Sequence, residues 1–285
     1  MSKWVIVLVA VVAALAAPSS LAQVVLAQSV FRTANLPSNT LRTFPVTCAS
    51  GYLAVSAGVA SPAPGATLLG IRPSGLAAYT FRFGNPVTNS GQQVKVVVAC
   101  RRFFFKPPTR VKVTPLRLKV KVPAGKLTVA GLPCPPRTAP AGWGHDITSV
   151  QSRSAPGVGA RVTVRKASIH LHGYSFSVRN SGAKAQSVTL YGTCLTALRQ
   201  VGAPRERLLV RITTFYVQLQ GASKRVVHNC PTGWVSLAAG YALRSPVTTI
   251  AGAAAIGRGG RWWIASDADR RTAADLQLVC ARLSK

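Results

Sequence analysis

Residues 110–134 read RVKVTPLRLKVKVPAGKLTVAGLPC. From Leu116 onward apolar and basic residues alternate, Leu116, Leu118, Val120 and Val122 against Arg117, Lys119 and Lys121. Successive strand residues point to opposite faces, so the stretch predicts a strand with one buried face and one face lined with cations. Pro123-Ala124-Gly125-Lys126 then supplies a turn, and a second apolar run leads into Cys134, which together predict a hairpin ending at a cysteine. No Asp or Glu occurs anywhere in the stretch.

A comparable plan recurs on either side. Three segments align on a cysteine: Val46-Thr47-Cys48-Ala49-Ser50-Gly51-Tyr52, Leu132-Pro133-Cys134-Pro135-Pro136-Arg137, and His228-Asn229-Cys230-Pro231-Thr232-Gly233-Trp234. The first and third are followed by similar small-residue strands, Ala54 to Ala60 and Val235 to Ala242, whereas the second has Ala141-Gly142-Trp143-Gly144 after extra residues. Each unit then has an aromatic strand (Tyr79 to Phe83, Tyr174 to Val178, Trp262 to Ala265) and a polar turn at Gly84-Asn85-Pro86, Arg179 to Gly182 or Ser266 to Asp269. A closing strand ends each unit at Cys100, Cys194 or Cys280. Ahead of the first unit, Asn35 to Thr40 occupies the place of the turn, and Gly221 to Lys224 does so ahead of the third.

Cysteines are 52, 60 and 50 residues apart inside units and 34 and 36 apart between them. This regularity pairs Cys48 with Cys100, Cys134 with Cys194, and Cys230 with Cys280. Loops of that size contribute about 4 kcal/mol each in the chain-entropy model. The fold class expected is all-β, with three internal repeats of about five to six strands each over residues 23–108, 109–204 and 205–285. Two arrangements satisfy it: tandem disulfide-closed sandwiches, or a pseudo-threefold β-prism. The only helical pattern, Ala273 to Leu278, aligns in its latter part with the closing strands of the other units.

The chain has 285 residues, with 35 Lys+Arg against 5 Asp+Glu, a formal charge of +30 and a pI near 11.6. Its 48% hydrophobic content excludes a disordered basic tail. The cations repel one another and have few internal partners, so the missing anions are expected on a partner. Lys3, the apolar run Trp4 to Ala17 and Pro18-Ser19-Ser20-Leu21-Ala22 read as a signal peptide over residues 1–22, cleaved after Ala22 or alternatively after Ala27. No later stretch is long and apolar enough for a membrane helix. Export to a secreted or cell-envelope location suits six bridged cysteines.

The bracket formed by Gly51, Asn85, Ala99 and Cys100, by Asn180 and Cys194, and by Gly233 and Cys280 resembles a disulfide-bracketed β-repeat (Cys-x-x-Gly … Asn … Ala-Cys) of exported bacterial proteins with no assigned activity. The second unit departs from it at Pro135-Pro136-Arg137, where the glycine is missing. Through Cys230-Pro231-Thr232-Gly233-Trp234 and a closing strand ending in cysteine, the prism option is also similar to egg vitelline-membrane outer-layer proteins. These resemblances imply location and fold class only.

Catalysis by paired carboxylates has little to draw on. The acids are Asp146, Glu206, Asp267, Asp269 and Asp275, and the close pair Asp267 and Asp269 reads as a capped turn beside Arg270 and Arg271. Neither a Gly-x-Ser-x-Gly elbow nor a phosphate-cradling loop occurs. His170 and His172, read as alternating on one strand, with His145 and Asp146 earlier, lack a further ligand at diagnostic spacing, so no metal and no cofactor are expected.

Three basic clusters remain. The first holds Arg101, Arg102, Arg110, Lys112, Arg117, Lys119, Lys121 and Lys126 around Phe103 to Lys106; the second Arg153, Arg161, Arg165 and Lys166; the third Arg258, Arg261, Arg270 and Arg271 around Trp262 and Trp263. Clustered cations confer salt-sensitive affinity for polyanions, and interleaved aromatics stack on bases or sugars. Solvated edge-strand lysines that prevent aggregation are the bland alternative. The strand Thr214 to Gln220 keeps an apolar face with Tyr and Gln in place of lysine, so the cations are not needed for folding. The expected function is non-enzymatic binding of an anionic polymer or acidic surface: acidic polysaccharide, envelope phosphate or extracellular nucleic acid. A self-assembling structural subunit of an extracellular layer or filament, and a lectin-like neutral-sugar module, are the alternatives.

Overall fold

A computed structural model describes residues 25–63, 65–87, 89–103, 110–147, 162–198, 207–219, 223–245, 248–266 and 272–284. Among these the chain forms only β-strands. The first stretch gives β1 (Val25–Leu36), β2 (Thr40–Thr47), β3 (Leu53–Ser61), β4 (Thr67–Pro73), β5 (Ala78–Asn85) and β6 (Gln92–Phe103). The second gives β7 (Arg110–Val122), β8 (Leu127–Pro133), β9 (Ala139–Ile147), β10 (Val162–His170), β11 (Gly173–Asn180) and β12 (Gln186–Leu198). The third gives β13 (Arg207–Leu219), β14 (Ser223–Asn229), β15 (Val235–Leu243), β16 (Thr248–Ile256), β17 (Gly259–Ser266) and β18 (Thr272–Ser284). Alternation decides the inward faces: Tyr79, Phe81 and Phe83 of β5, and Val94, Val96, Val98 and Cys100 of β6, are all buried.

Four sheets stand as a propeller-like ring. Their orders are β1-β6-β3, β2-β5-β4-β9-β12-β7, β13-β18-β15-β10-β11-β8 and β14-β17-β16. Both six-stranded sheets join strands from two stretches of chain, through Gly70↔Asp146 and Ile71↔His145 in one and Lys166↔Ala242 and Ala167↔Tyr241 in the other. The tandem-sandwich alternative, in which each unit closes on itself, is therefore not the observed arrangement. β3 and β16 meet without a ladder but in backbone contact: a Cβ added to Gly58 would lie 1.8 Å from the Ala253 carbonyl oxygen.

The turn at Pro123 to Lys126 forms as expected, with the Lys126 amide donating to Pro123 O at 3.3 Å. The hairpin does not. β7 pairs with β12 and β8 with β11, so the turn carries the chain from one sheet to another. β13 and β14 part in the same way. A local pairing was the economical expectation, but the two strands are taken up by the longer-range ladders with β12 and β11.

The three disulfides are Cys48–Cys100, Cys134–Cys194 and Cys230–Cys280. After the first cysteine of each, an i to i+3 turn closes with the amides of Tyr52, Thr138 and Trp234 donating to Ala49, Pro135 and Pro231. Its third residue has positive φ: 79° at Gly51, 80° at Gly233, and 61° at Arg137. The geometry is thus kept in the second stretch although the glycine is absent. Asn85 and Asn180, both fully buried, fasten matching corners. Asn85 Nδ2 donates to Leu36 O (3.0 Å) and Ser90 O (2.9 Å), and Asn180 Nδ2 to Val122 O (3.0 Å) and Lys184 O (2.8 Å).

The largest core cluster draws Val55 and Leu69 together with Trp143, Phe176, Leu237 and Trp262, so all three stretches share it. A second lies within the first stretch, around Phe44, Phe81, Phe83 and Cys100. Three disulfides fit an oxidising compartment. Among the described residues no helix is long and apolar enough to cross a membrane.

Candidate functional site: a basic outer sheet face

β7 ends its sheet, and Arg117, Lys119 and Lys121 stand exposed along it while Leu116, Leu118, Val120 and Val122 pack inward. The ladder with β12 runs without a bulge from Arg110↔Leu198 to Val122↔Gln186. Lys112 is exposed between Val111 and Val113, which pack against the core as Leu116, Leu118 and Val120 do. Lys126 is exposed in the sheet-changing turn.

Sequence reasoning missed two arginines that the mixed sheet adds from the first stretch. One lateral row runs Arg82↔Gly70, Gly70↔Asp146, Asp146↔Thr189 and Thr189↔Lys119 across β5, β4, β9, β12 and β7. The next row of the same parity holds Arg72, opposite Thr80, and Arg117, opposite Tyr191. At about 4.8 Å between strands, the five strands span roughly 19 Å. Among the described residues, Arg72, Arg82, Arg117, Lys119 and Lys121 thus share one face with one acid, Asp146.

Arg82 reaches across Gly70 to Asp146, Nη2 to Oδ1 at 2.8 Å, and Nη2 also donates to the Ile147 carbonyl. The glycine makes this possible: a Cβ there would sit 2.8 Å from Asp146 Oδ1. Burial raises the Asp146 carboxyl above its ordinary value, while Arg82, Arg72 and Arg117 pull the other way, in that order. Arg82 Nε and Thr189 Oγ1 are buried with no hydrogen-bond partner among the described residues. The other described acid, Asp275, is held by Arg244 through bonds of 2.8 and 2.9 Å on a different sheet. Both described carboxylates are therefore already paired, and Lys112, Arg117, Lys119 and Lys121 form no ion pair among the described residues.

The remaining expected residues scatter. Arg101 is a correction: it is wholly buried, bonded to backbone carbonyls, and has no surface to offer a polyanion. Its neighbour Arg102 is exposed beside Gly51. Arg258 is exposed and donates to Pro231 O at 3.1 Å, and Arg261 is half-buried on β17, in a different sheet from β7. Arg165 lies at a bulge in β10 and donates to Ser245 O. Arg153, Arg161, Glu206, Asp267, Asp269, Arg270 and Arg271 lie outside the described residues, as does the expected signal segment. His170 and His172 do not share a strand: β10 ends at His170, and His172 is in the turn, its carbonyl accepting from the Cys134 amide. Among the described residues no cluster of three metal-binding side chains occurs.

No protein-family model matches the chain, and no curated protein matches it.

Proposed function

We propose that this protein is an exported, non-enzymatic binder of anionic polymer, and that its principal contact is the face carrying Arg72, Arg82, Arg117, Lys119 and Lys121. The observation that carries this reading is the convergence of five cations from two stretches of chain around one acid that is already paired. Such a face neutralises regularly spaced phosphates, sulfates or carboxylates and releases their counterions, without reading a sequence.

We read the ring as a pseudo-threefold β-prism of three six-stranded repeats. Two patterns support this. In every stretch the first, sixth and third strands pair in that order, and the fourth, fifth and second pair in theirs. Each trio also adjoins a trio from another stretch, by ladder at β4–β9 and β10–β15 and by backbone contact at Gly58 and Ala253.

Retention on immobilised heparin and on double-stranded DNA, measured against salt, tests the function. The triple variant Arg117→Gln, Lys119→Gln, Lys121→Gln should flatten the slope of log affinity against log salt on DNA by about three, since each phosphate contact contributes about 0.9. An unchanged slope in a folded, fully bridged variant overturns the site. Salt-insensitive self-assembly of the wild type, without retention, overturns the function in favour of a structural subunit.

A further inference from the structure

The sheet order β13-β18-β15-β10-β11-β8 leaves one side of β8 open, and among the described residues no second strand pairs with it. Two hydrogen bonds fix which residues point there. The Asn180 amide donates to Lys126 O and the Cys134 amide to His172 O, each at 2.9 Å. The even-numbered residues from Lys126 to Cys134 therefore turn their backbone groups toward β11. Leu127, Val129 and Gly131 turn their N–H and C=O groups outward, and Pro133 has only a carbonyl to offer.

Side chains at these outward positions are apolar or absent. Leu127 is 55% exposed and Val129 65%, Gly131 is exposed, and Leu171 in the adjoining turn is 59% exposed. The other outer edges differ. Six strands end sheets away from the β3–β16 seam, namely β1, β2, β7, β8, β13 and β14, and all but β8 carry lysine or arginine. Such cations keep a sheet edge from pairing with other chains, and β8 lacks them.

Charge and register together say what fits. Acidic partners are drawn to the cationic edges, whereas a second copy of a chain of formal charge +30 is repelled by them and meets no charge along β8. β8 is also complementary to itself. An antiparallel pair centred on Val129 sets Val129 against Val129 and Leu127 against Gly131, so each leucine lies beside a residue with no side chain. All three free N–H groups of each copy then donate, and Pro133 stays outside the ladder. Lys126 falls opposite Leu132, roughly 20 Å from its own mate, well beyond the screening length of about 8 Å at physiological salt.

We propose that two copies of this protein pair β8 to β8 across a two-fold axis at Val129, joining two six-stranded sheets into one. An isologous contact of this kind consumes the edge that makes it, so association stops at the dimer instead of running on as a filament. The contact is far smaller than the roughly 800 Å2 per partner of a standard interface, and the net charges repel, so the dimer is weak and tightens as salt rises. Salt acts in the opposite sense on polyanion retention, and the pairing does not depend on that activity.

Sedimentation of the intact, disulfide-bridged protein over a range of protein concentrations, in low and high salt without polyanion, tests this. A monomer–dimer equilibrium favoured by salt is expected. Val129→Lys and Val129→Glu, both at an exposed position, should each weaken it several-fold by setting like charges directly opposite, and an equimolar mixture of the two should restore it. Val129→Cys should cross-link the dimer on mild oxidation, because Cα atoms in such a pair stand about 5.5 Å apart, within disulfide reach. Leu127→Cys, whose two copies lie four residues apart along the ladder, should not. A monomer at every concentration and salt, assembly beyond the dimer, association indifferent to both charge variants, or cross-linking at Leu127→Cys as readily as at Val129→Cys each overturns the proposal.

Discussion

The Arg101 guanidinium donates from Nε, at 2.8 Å, and from Nη2 to the carbonyl oxygen of Ser236, joining β6 to β15 across 135 residues. Nη1 donates to Cys100 O at 2.8 Å and Gln28 O at 3.2 Å, and Nη2 also reaches Gly257 O at 3.0 Å. Carbonyl dipoles replace a counter-ion here. Burial pushes the group down to about 10, so it remains cationic at neutral pH. The clamp fastens the first stretch of chain to the third, where β3 and β16 lack a ladder. Arg101→Met would leave these carbonyls without their donor and should cost about 3 kcal/mol in urea unfolding, from partial desolvation of several buried acceptors. Arg101→Lys keeps the charge but not the fork and should recover only part of it. A neutral outcome for Arg101→Met would mean that the clamp adds nothing to ring closure.

Arg137 holds a backbone conformation that its counterparts Gly51 and Gly233 adopt without penalty. The local cost of a side chain in the left-handed region is about 1 kcal/mol. Arg137→Gly should therefore stabilise the protein by up to about 1 kcal/mol, less the entropy that glycine adds to the unfolded chain. The midpoint of chemical denaturation reads this directly, and a loss of stability would show that the Arg137 side chain compensates for the strain.

The pH profile of stability has two predictable limbs. The folded state holds His145 near 4 against an ordinary 6.5, so the unfolded chain takes up that proton first. Stability from this group is complete above 6.5 and is lost as pH falls toward 4, by at most on the order of 3 kcal/mol. Asp146, whose carboxyl is raised, acts in the opposite sense and offsets the acid end of that loss. On the alkaline side, burial pushes Tyr79 up to about 12 and raises Tyr174 and Tyr241 as well. The unfolded chain releases these protons from the ordinary 10.0 onward, so stability declines as pH rises beyond it. Thermal melts across pH should show both limbs, and His145→Phe should remove the acid one selectively.

Strand positions and cysteine pairing were legible in the sequence because both depend on local chemistry: alternation along Leu116 to Val122, turns at Gly51 and Gly125, similar spacing of cysteines. Partner choice between strands was not. Nothing near Lys121 indicates that β7 and β8 enter different sheets, since the alternation of Leu116 to Val122 is the same whichever strand lies alongside. The same blindness hid the basic face. Arg72 and Arg82 precede Arg117 by tens of residues and join it only because β4 pairs with β9. Arg101 misled for a related reason. Adjacent to exposed Arg102, it reads as half of a basic pair, yet a strand sends neighbours to opposite sides, and one of the two had to face inward.

Asp146 offers the sharpest discrimination of the outer face as a polyanion site. Among the described residues it is the one acid on the face of Arg72, Arg82, Arg117, Lys119 and Lys121, and it lies opposite Gly70 and Thr189 in the middle of the sheet. Asp146→Asn removes one negative charge and releases Arg82 from its ion pair. If the polymer binds here, the variant should be retained more tightly on heparin, requiring higher salt for elution, and its affinity should fall more steeply with salt than that of the wild type. The same change should cost about 1–3 kcal/mol of stability, because the half-buried Arg82 side chain loses its charged partner. Binding at any other surface predicts lower stability with unaltered retention, so the two measurements made together separate a structural ion pair from a functional face.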